Sequence, residues 1–429
     1  MTPDRPRPAG RRAPPLSRGF RNLWAAGALS NLGDGVYLGA LPLLAATVSR
    51  NPAAVSLVVA AAWLPWLVLG PISGAVADRG DRLRIMIGAD LVRALTLCVL
   101  GVLVVTGQAT IGLLIGLVFA LGTAQTLFDS AAQAVIPLVV GRETAMLSRA
   151  NSRIAAAQTT GKDLAGPPVG SAAFVLGPFV PFLLDAVSFL ASAALLRAVR
   201  RTGEHVHRER AGRASIRADI VDGMRWLGGH RVVLFLAIVV GLSNLAWVGA
   251  ESVLVLFALD RLGVSQLWFG ALLAAPAVGA IPGAVVAGAV IRRVPPGVVL
   301  LGGLLLQALV LAGIGLATDP FAVAGLLAVG GLLLTIWNIA QIGQRQILVP
   351  DRLTGRVVAS MRMIAYGIAP LGAVAAGAVA TALGLQVPYL LSAAVLVLAA
   401  VVAAPCLNSR SLRRALAAAN DGAGTRAAG

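Results

Sequence analysis

Charge is scarce in this chain: Asp, Glu, Lys and Arg make up 12% of its 429 residues, against roughly 25% in a soluble domain. So little charge cannot cover a surface facing water, which excludes a soluble globular fold. Cysteine is nearly absent. Cys98 and Cys406 stand far apart in apolar stretches, so free thiols are expected and a disulfide framework is not. His205, His207 and His230 are the three histidines, and all lie in one central segment. With none at membrane depth, a histidine proton relay and an intramembrane histidine–metal centre are excluded. No Gly-x-x-x-x-Gly-Lys loop is present, which argues against ATP as a driver. No Ser-His, Cys-His or metal-spaced set falls among the apolar residues, so neither an enzyme nor a cofactor is expected. The first 21 residues are rich in Pro and Arg and lack an apolar core, so no cleavable signal peptide is expected.

Long apolar runs are what the chain has in plenty. It is 58% hydrophobic, with a mean hydropathy of +0.86. Twelve runs fall near residues 24–48, 54–77, 85–107, 110–139, 154–176, 179–199, 232–259, 267–291, 298–317, 321–344, 363–383 and 387–407. Each is close to the ~20 residues that cross ~30 Å of hydrocarbon as a helix. Backbone polar groups find no water there, so helices are the economical solution and an all-α membrane protein is predicted.

The net charge of +17 raises the question of a nucleic-acid partner, and its distribution answers it. Arginines crowd before the first helix and after the second, fourth, sixth, eighth and tenth. The loops after the third, fifth, ninth and eleventh carry none, and Arg50 and Arg261 are the exceptions on that side. This alternation is the positive-inside pattern of a multi-pass protein of the cytoplasmic membrane with both termini cytoplasmic. The basic charge faces the bilayer surface, and no nucleic acid is expected.

An internal repeat sets the domain plan. Leu29-Ser30-Asn31-Leu32 of helix one returns as Leu242-Ser243-Asn244-Leu245 of helix seven. Phe128-Asp129 and Ala131 of helix four fall on Trp337-Asn338 and Ala340 of helix ten, with Arg153 on Arg362. Two matches at nearly equal offsets predict two pseudo-symmetric six-helix bundles, 22–199 and 231–407. A basic tail (1–21), a cytoplasmic linker (200–230) and a second tail (408–429) complete the chain. In the linker, Ser215 is placed to cap an amphipathic helix carrying Ile216, Ile220, Met224 and Leu227, expected on the inner membrane surface.

Helix two ends in a charged clasp, Gly74-Ala75-Val76-Ala77-Asp78-Arg79-Gly80-Asp81-Arg82-Leu83-Arg84. Its Asp78 is expected to cap the positive end of a neighbouring helix, and the second copy, Gly288 to Arg293, has Arg292 in its place. Together with Ser30-Asn31-Leu32-Gly33-Asp34, Ala89-Asp90-Leu91-Val92-Arg93-Ala94, Ala150-Asn151-Ser152, Gly166-Pro167 and Asp185-Ala186-Val187-Ser188-Phe189-Leu190, the clasp resembles the major facilitator superfamily. Within it the likeness is to the enterobactin-exporter and macrolide-efflux branch of drug exporters. The resemblance implies a monomeric twelve-helix secondary transporter with two rocking halves. It implies export of a small amphipathic molecule (drug, antibiotic or siderophore-like) in exchange for protons. The chain departs from the helix-five signature of antiporters by having Lys162 where a glycine is usual. A proton-coupled importer of the same fold is the alternative, and a membrane enzyme or sensor is the rival from another class.

Charges at membrane depth cost roughly 2.5–3.5 kcal/mol each on insertion scales, so each needs a reason. Asp34 lies near the midplane on one face with Asn31. Asn244, Trp247 and Glu251 make the matching face of helix seven, and two facing polar stripes are expected to bind a cationic or amphipathic solute. Gln125, Asp129 and Gln133 of helix four, with Asn338, Gln341 and Arg345 of helix ten, are expected to look into the same cavity. Lys162 and Asp163 are neighbours in helix five that point ~100° apart and cannot comfortably pair. Lys162 beside Asp34 or Asp129 is expected to serve proton coupling. Near the clasp residues Gly74, Asp78, Arg79 and Arg82, the charges of Asp90, Arg93, Arg153 and Arg362 are expected to form a cytoplasmic gate between the halves. Asp185 is expected to be structural, and paired glycine-proline sites in helices five and eleven are expected to bend.

Overall fold

A computed structural model describes residues 18–141, 143–201, 216–350 and 353–415. Long helices follow the apolar runs: α1 (Arg18–Val48), α2 (Pro52–Arg79), α3 (Arg82–Val105) and α4 (Ile111–Val140). The next rod is compound, with α5 (Thr144–Ala157), a π-helical stretch (Gln158–Ala165) and α6 (Gly166–Leu176), followed by α7 (Val180–Arg201). After α8 (Ile216–Gly229) come α9 (Arg231–Ser252), a short α10 (Leu254–Leu256) and a π-helical turn (Phe257–Arg261). Then follow α11 (Gln266–Arg293), α12 (Pro296–Leu316), α13 (Pro320–Leu348), α14 (Thr354–Leu383) and α15 (Val387–Leu407). Among the described residues there is no strand. Among the described residues, ten helices are long and apolar enough to cross a membrane. The expected twelve crossings also count α1 and the compound rod Thr144–Leu176, both packed along the same bundle.

Local chemistry explains where the helices begin. Asn51 accepts a 2.9 Å hydrogen bond from the Ala53 amide while Pro52 opens α2 without needing a donor. Asp319 caps α13 in the same way, accepting from Ala322 at 2.8 Å. At the clasp the capping carboxylate is Asp81, which accepts from the Arg84 amide at 3.1 Å and starts α3. Asp78, which the sequence reading makes the capping group, has a side chain that lies outside the described residues.

The π-helical stretch has a covalent cause. Pro167 and Pro168 have no N–H to return to the carbonyls four residues back. The turn before them widens, and the Gly166 amide reaches the Gly161 carbonyl, five residues away. Glycines then let α1 lie directly on this stretch. A Cβ at Gly35 would stand 2.5 Å from the Lys162 carbonyl oxygen, and Gly39 meets the backbone of Pro167. Such small-residue contacts let membrane helices approach at backbone distance. This one fixes Asp34 against Lys162. In α14, by contrast, Pro370 is accommodated within an unbroken helix.

The two groups of helices join at the end away from the clasp. There Arg50 pairs with Asp260 at 2.8 Å. The Thr381 hydroxyl accepts from the Ala53 amide at 3.1 Å and donates to Asn51 Oδ1 at 3.2 Å. Gly377 of α14 runs against Ser56 of α2, and Gly270 of α11 against Pro167 and Ser171 of α6. Toward the clasp end the walls part around a cavity.

The linker helix α8 packs on α14 and α9. Gly223 faces Ser360 and the Arg356 backbone, Leu227 is buried, and Asp222 pairs with Arg356 at 3.1 Å. Met224, expected on the apolar face, is 42% exposed. The side chains of Ile216 and Ile220, and Ser215 itself, lie outside the described residues.

Candidate functional site

The cavity has a volume of about 480 Å³ and opens toward the clasp end, between Leu23 and Trp24 of α1, Ile136 of α4 and Ile154 of α5. Asn31, Asp34, Gln125, Asp129, Gln133 and Lys162 line it. Asp34 lies about 24 Å along α1 at 1.5 Å per residue, deep in the membrane. Two cations bracket it: Arg93 Nη1 and Lys162 Nζ each stand 4.0 Å from one of its carboxylate oxygens. At that range the charges attract strongly, yet neither cation makes a direct hydrogen bond to Asp34.

Behind Asp34 the charges are tightly engaged. Arg93, 1% exposed, donates to the Asp90 carboxylate and to Gln125 Oε1. Its guanidinium lies between two rings, 4.4 Å from the centroid of Phe128 and 4.1 Å from that of Phe189. That sandwich suits arginine, whose planar, weakly hydrated cation stacks well. Gln125 passes the connection on, donating from Nε2 to Asp129 at 3.1 Å. The path from Asp90 through Arg93 and Gln125 to Asp129 is therefore continuous, with Asp34 and Lys162 on its cavity side. Lys162 is the only lysine in the chain. An ammonium is a compact point charge able to give up its proton, whereas a guanidinium is not. Asp185 is buried behind α1, accepting from Ser188 at 3.0 Å where Gly33 passes.

Opposite the charges stands an aromatic wall. Tyr366 of α14 packs against Trp63 and Trp66 of α2, with centroids 5.9 and 5.6 Å apart. All three line the cavity.

The profile of the transmembrane secretion effector family matches residues 9–420. The chain belongs to that family of major facilitator transporters. Multidrug efflux pump Tap of Mycolicibacterium fortuitum is 28% identical over 390 residues, covering 86% of this chain and 91% of Tap. An uncharacterized MFS-type transporter of Mycobacterium tuberculosis is 30% identical over 355 residues, 77% of this chain and 78% of that protein. Macrolide efflux protein A of Streptococcus pyogenes is 28% identical over 124 residues, 29% of this chain and 31% of its own. Among solved structures, a point mutant of the nucleoside transporter NupG superposes with a TM-score of 0.71 at 14% identity, covering 90% of this chain and 98% of that one. A bacterial homologue of the iron transporter ferroportin gives 0.70 at 16%, covering 91% and 98%. The latter likenesses establish the fold.

In this chain the charged and polar residues are distributed otherwise than their spacing predicts. Asp90 and Arg93 do not reach Arg153 and Arg362 to form a surface cluster between the halves. They are buried inside the first group of helices, because Arg93 lies eleven residues into α3 and turns toward α4 and α7. Arg153 and Arg362 are exposed, and the Arg153 carbonyl accepts from Trp24 Nε1 at 3.1 Å. The stripe on α9 does not face Asp34 either. Asn244 donates to the Ala365 carbonyl at 3.0 Å and Trp247 to Gln307 Oε1 at 2.9 Å, so both tie α9 to neighbouring helices. Glu251, Asn338 and Gln341 are not among the cavity-lining residues, and Gln341 is buried. Of the Lys162–Asp163 neighbours only Lys162 lines the cavity. Gly74, Arg79 and Arg82 lie at the clasp, where Arg82 donates to the carbonyls of Ala77 and Ala134 at 3.4 and 3.3 Å. The sequence reading passed over Trp63, Trp66 and Tyr366. The Trp-x-x-Trp spacing, which puts both rings on one side of α2, was the available signal.

Proposed function

We propose that this chain exports a small amphipathic molecule across the cytoplasmic membrane by alternating access, in exchange for protons. The observation that carries the reading is Asp34, set in an open cavity 4.0 Å from each of two cations and hydrogen-bonded to neither. A carboxylate with charge neighbours but no fixed partner can exchange a proton for a cationic or polar group of a solute. Wherever the solute binds, Trp63, Trp66 and Tyr366 offer ring faces to its apolar part. The arginine-rich clasp end is the cytoplasmic one by the positive-inside rule, so the cavity described here loads from the cytoplasm. Efflux relatives favour this direction over import.

Proteoliposomes of known orientation, given an imposed pH gradient and a fluorescent amphipathic cation, test the reading. Movement of the probe against the proton gradient, lost in Asp34→Asn while the probe still binds, is expected. Probe movement in the same direction as protons would instead establish the importer. Gradient-independent movement, or an Asp34→Asn variant that couples normally, would remove proton exchange at Asp34.

A further inference from the structure

A second cavity, about 540 Å³, lies on the outside of the bundle between α2, α3 and α4. It belongs to no part of the transport site. Val76, Ile85, Gly88, Val92, Phe119 and Leu127 are among its almost wholly apolar lining residues. Val76 and Val92 are 40% and 49% exposed, so the groove faces the surroundings of the bundle. A Cβ added at Gly88 would meet nothing within 4 Å, and this leaves the floor of the groove open. Helices of membrane-spanning character form its walls, so hydrocarbon is the natural filling for most of its length.

The clasp end of the groove is different. Along α3, Arg84, Gly88 and Val92 recur every four residues and share one face. Along α2, Ile72, Val76 and Arg79 do the same at spacings of four and three. One exposed arginine therefore ends each wall where the groove meets the membrane surface. Arg84, with its side chain 67% exposed, shares Asp81 with Arg200: the contacts are 3.1 and 3.7 Å. One carboxylate between two arginines leaves positive charge over. An apolar slot ending in excess cationic charge at the depth of the headgroups fits one class of ligand.

We propose that the groove is a seat for an anionic phospholipid, with an acyl chain along Gly88 and Val92 and the phosphate at Arg79 and Arg84. The charge of the headgroup distinguishes this seat from ordinary lipid solvation of an apolar face. On the opposite side of α3 lie Asp90 and Arg93, so the occupant braces the helix that carries the buried charges.

The test uses the full chain, delipidated in detergent and titrated with phosphatidylglycerol or phosphatidylcholine, with bound lipid counted by native mass spectrometry. Wild type is expected to retain phosphatidylglycerol in preference to phosphatidylcholine. Each juxtamembrane arginine contributes about fivefold to such binding, so Arg84→Gln is expected to weaken phosphatidylglycerol about fivefold and Arg79→Gln/Arg84→Gln about 25-fold. Arg293→Gln, the same charge change at the corresponding end of α11, is expected to leave it unchanged. Gly88→Leu fills the groove with the arginines intact and is expected to reduce retention of phosphatidylglycerol. Equal retention of the two lipids by wild type would overturn the proposal. So would equal losses in Arg84→Gln and Arg293→Gln, or wild-type retention in Gly88→Leu.

Discussion

Replacing Arg93 with Met keeps much of the side-chain volume and removes the charge. Arg93 and Asp90 are 1% and 0% exposed, so the variant leaves a carboxylate buried beside Phe128 and Phe189 with its cation gone. Stranding one member of a buried pair costs about 3–5 kcal/mol. Arg93 also attracts Asp34: unit charges 4.0 Å apart interact by about 4 kcal/mol at an effective dielectric near 20, an attraction that the open cavity around Asp34 screens. At about 2–4 °C per kcal/mol for a unit the size of one six-helix half, the loss in Tm is roughly 6–20 °C. Asp90→Leu/Arg93→Met removes both charges and is expected to recover at least about 2 kcal/mol relative to Arg93→Met, since no buried charge is stranded between them. Tryptophan-fluorescence melting of the four proteins of the cycle, in one detergent at one lipid content, measures the coupling. If the double variant lost the sum of the two single losses, the pairing would be refuted. If Arg93→Met melted within ~2 °C of wild type, the burial argument would be wrong as well.

Two further outcomes follow from the placement of single groups. Lys162 is the only side-chain amine, is 26% exposed and lines a cavity open at the clasp end; a membrane-impermeant amine reagent should therefore label it from that side, with saturating solute protecting it, as read by peptide mass spectrometry. Labelling from the other face alone would contradict the geometry. Arg50→Ala removes an ion pair whose side chains are 58% and 43% exposed, so it should change stability by at most about 1 kcal/mol, yet shift the balance between states up to about fivefold away from the one described. Distance measurements between spin labels at the two far ends would register that shift, and an unchanged distribution would mean the pair does not hold the halves together.

Much of this architecture can be read in the sequence, for physical reasons. A span must be apolar for about 20 residues, and lipid tolerates few exceptions, so helix count, loop charge and Asp34 stand out against a plain background. The clasp was legible because capping and charge are local chemistry, and Asp81 within it caps α3. What could not be read was which way a polar side chain turns once several helices surround it. Asn244 and Trp247 match the spacing of Asn31 and Asp34, yet their partners are Ala365 and Gln307, 121 and 60 positions away. Repeat symmetry implied a symmetric site, and packing broke it. One clue to the buried network was within reach: Asp90 and Arg93, three apart on a helix, can pair with each other and need no distant partner.

The distribution of interactions between the halves bears on how the molecule can move at all. A transporter needs states separated by only a few kcal/mol, so contacts that break in each cycle must be individually weak. Three contacts between the two groups of helices meet that requirement. One exposed ion pair and a pair of hydrogen bonds at Thr381, both at the far end, and the tilted packing of Tyr366 against two tryptophans in the cavity wall are each on the order of 1 kcal/mol. Asp90 and Arg93 do not meet it, since parting them inside the membrane would cost several kcal/mol with no water to repay it. They lie within one group of helices, where rocking leaves them intact. Their charge reaches the cavity only through Asp34, held at 4.0 Å, and Gln125. A gate made of the strong pair would hold the molecule in one state; a strong pair behind Asp34 can fix the field at that carboxylate while the weak contacts open and close.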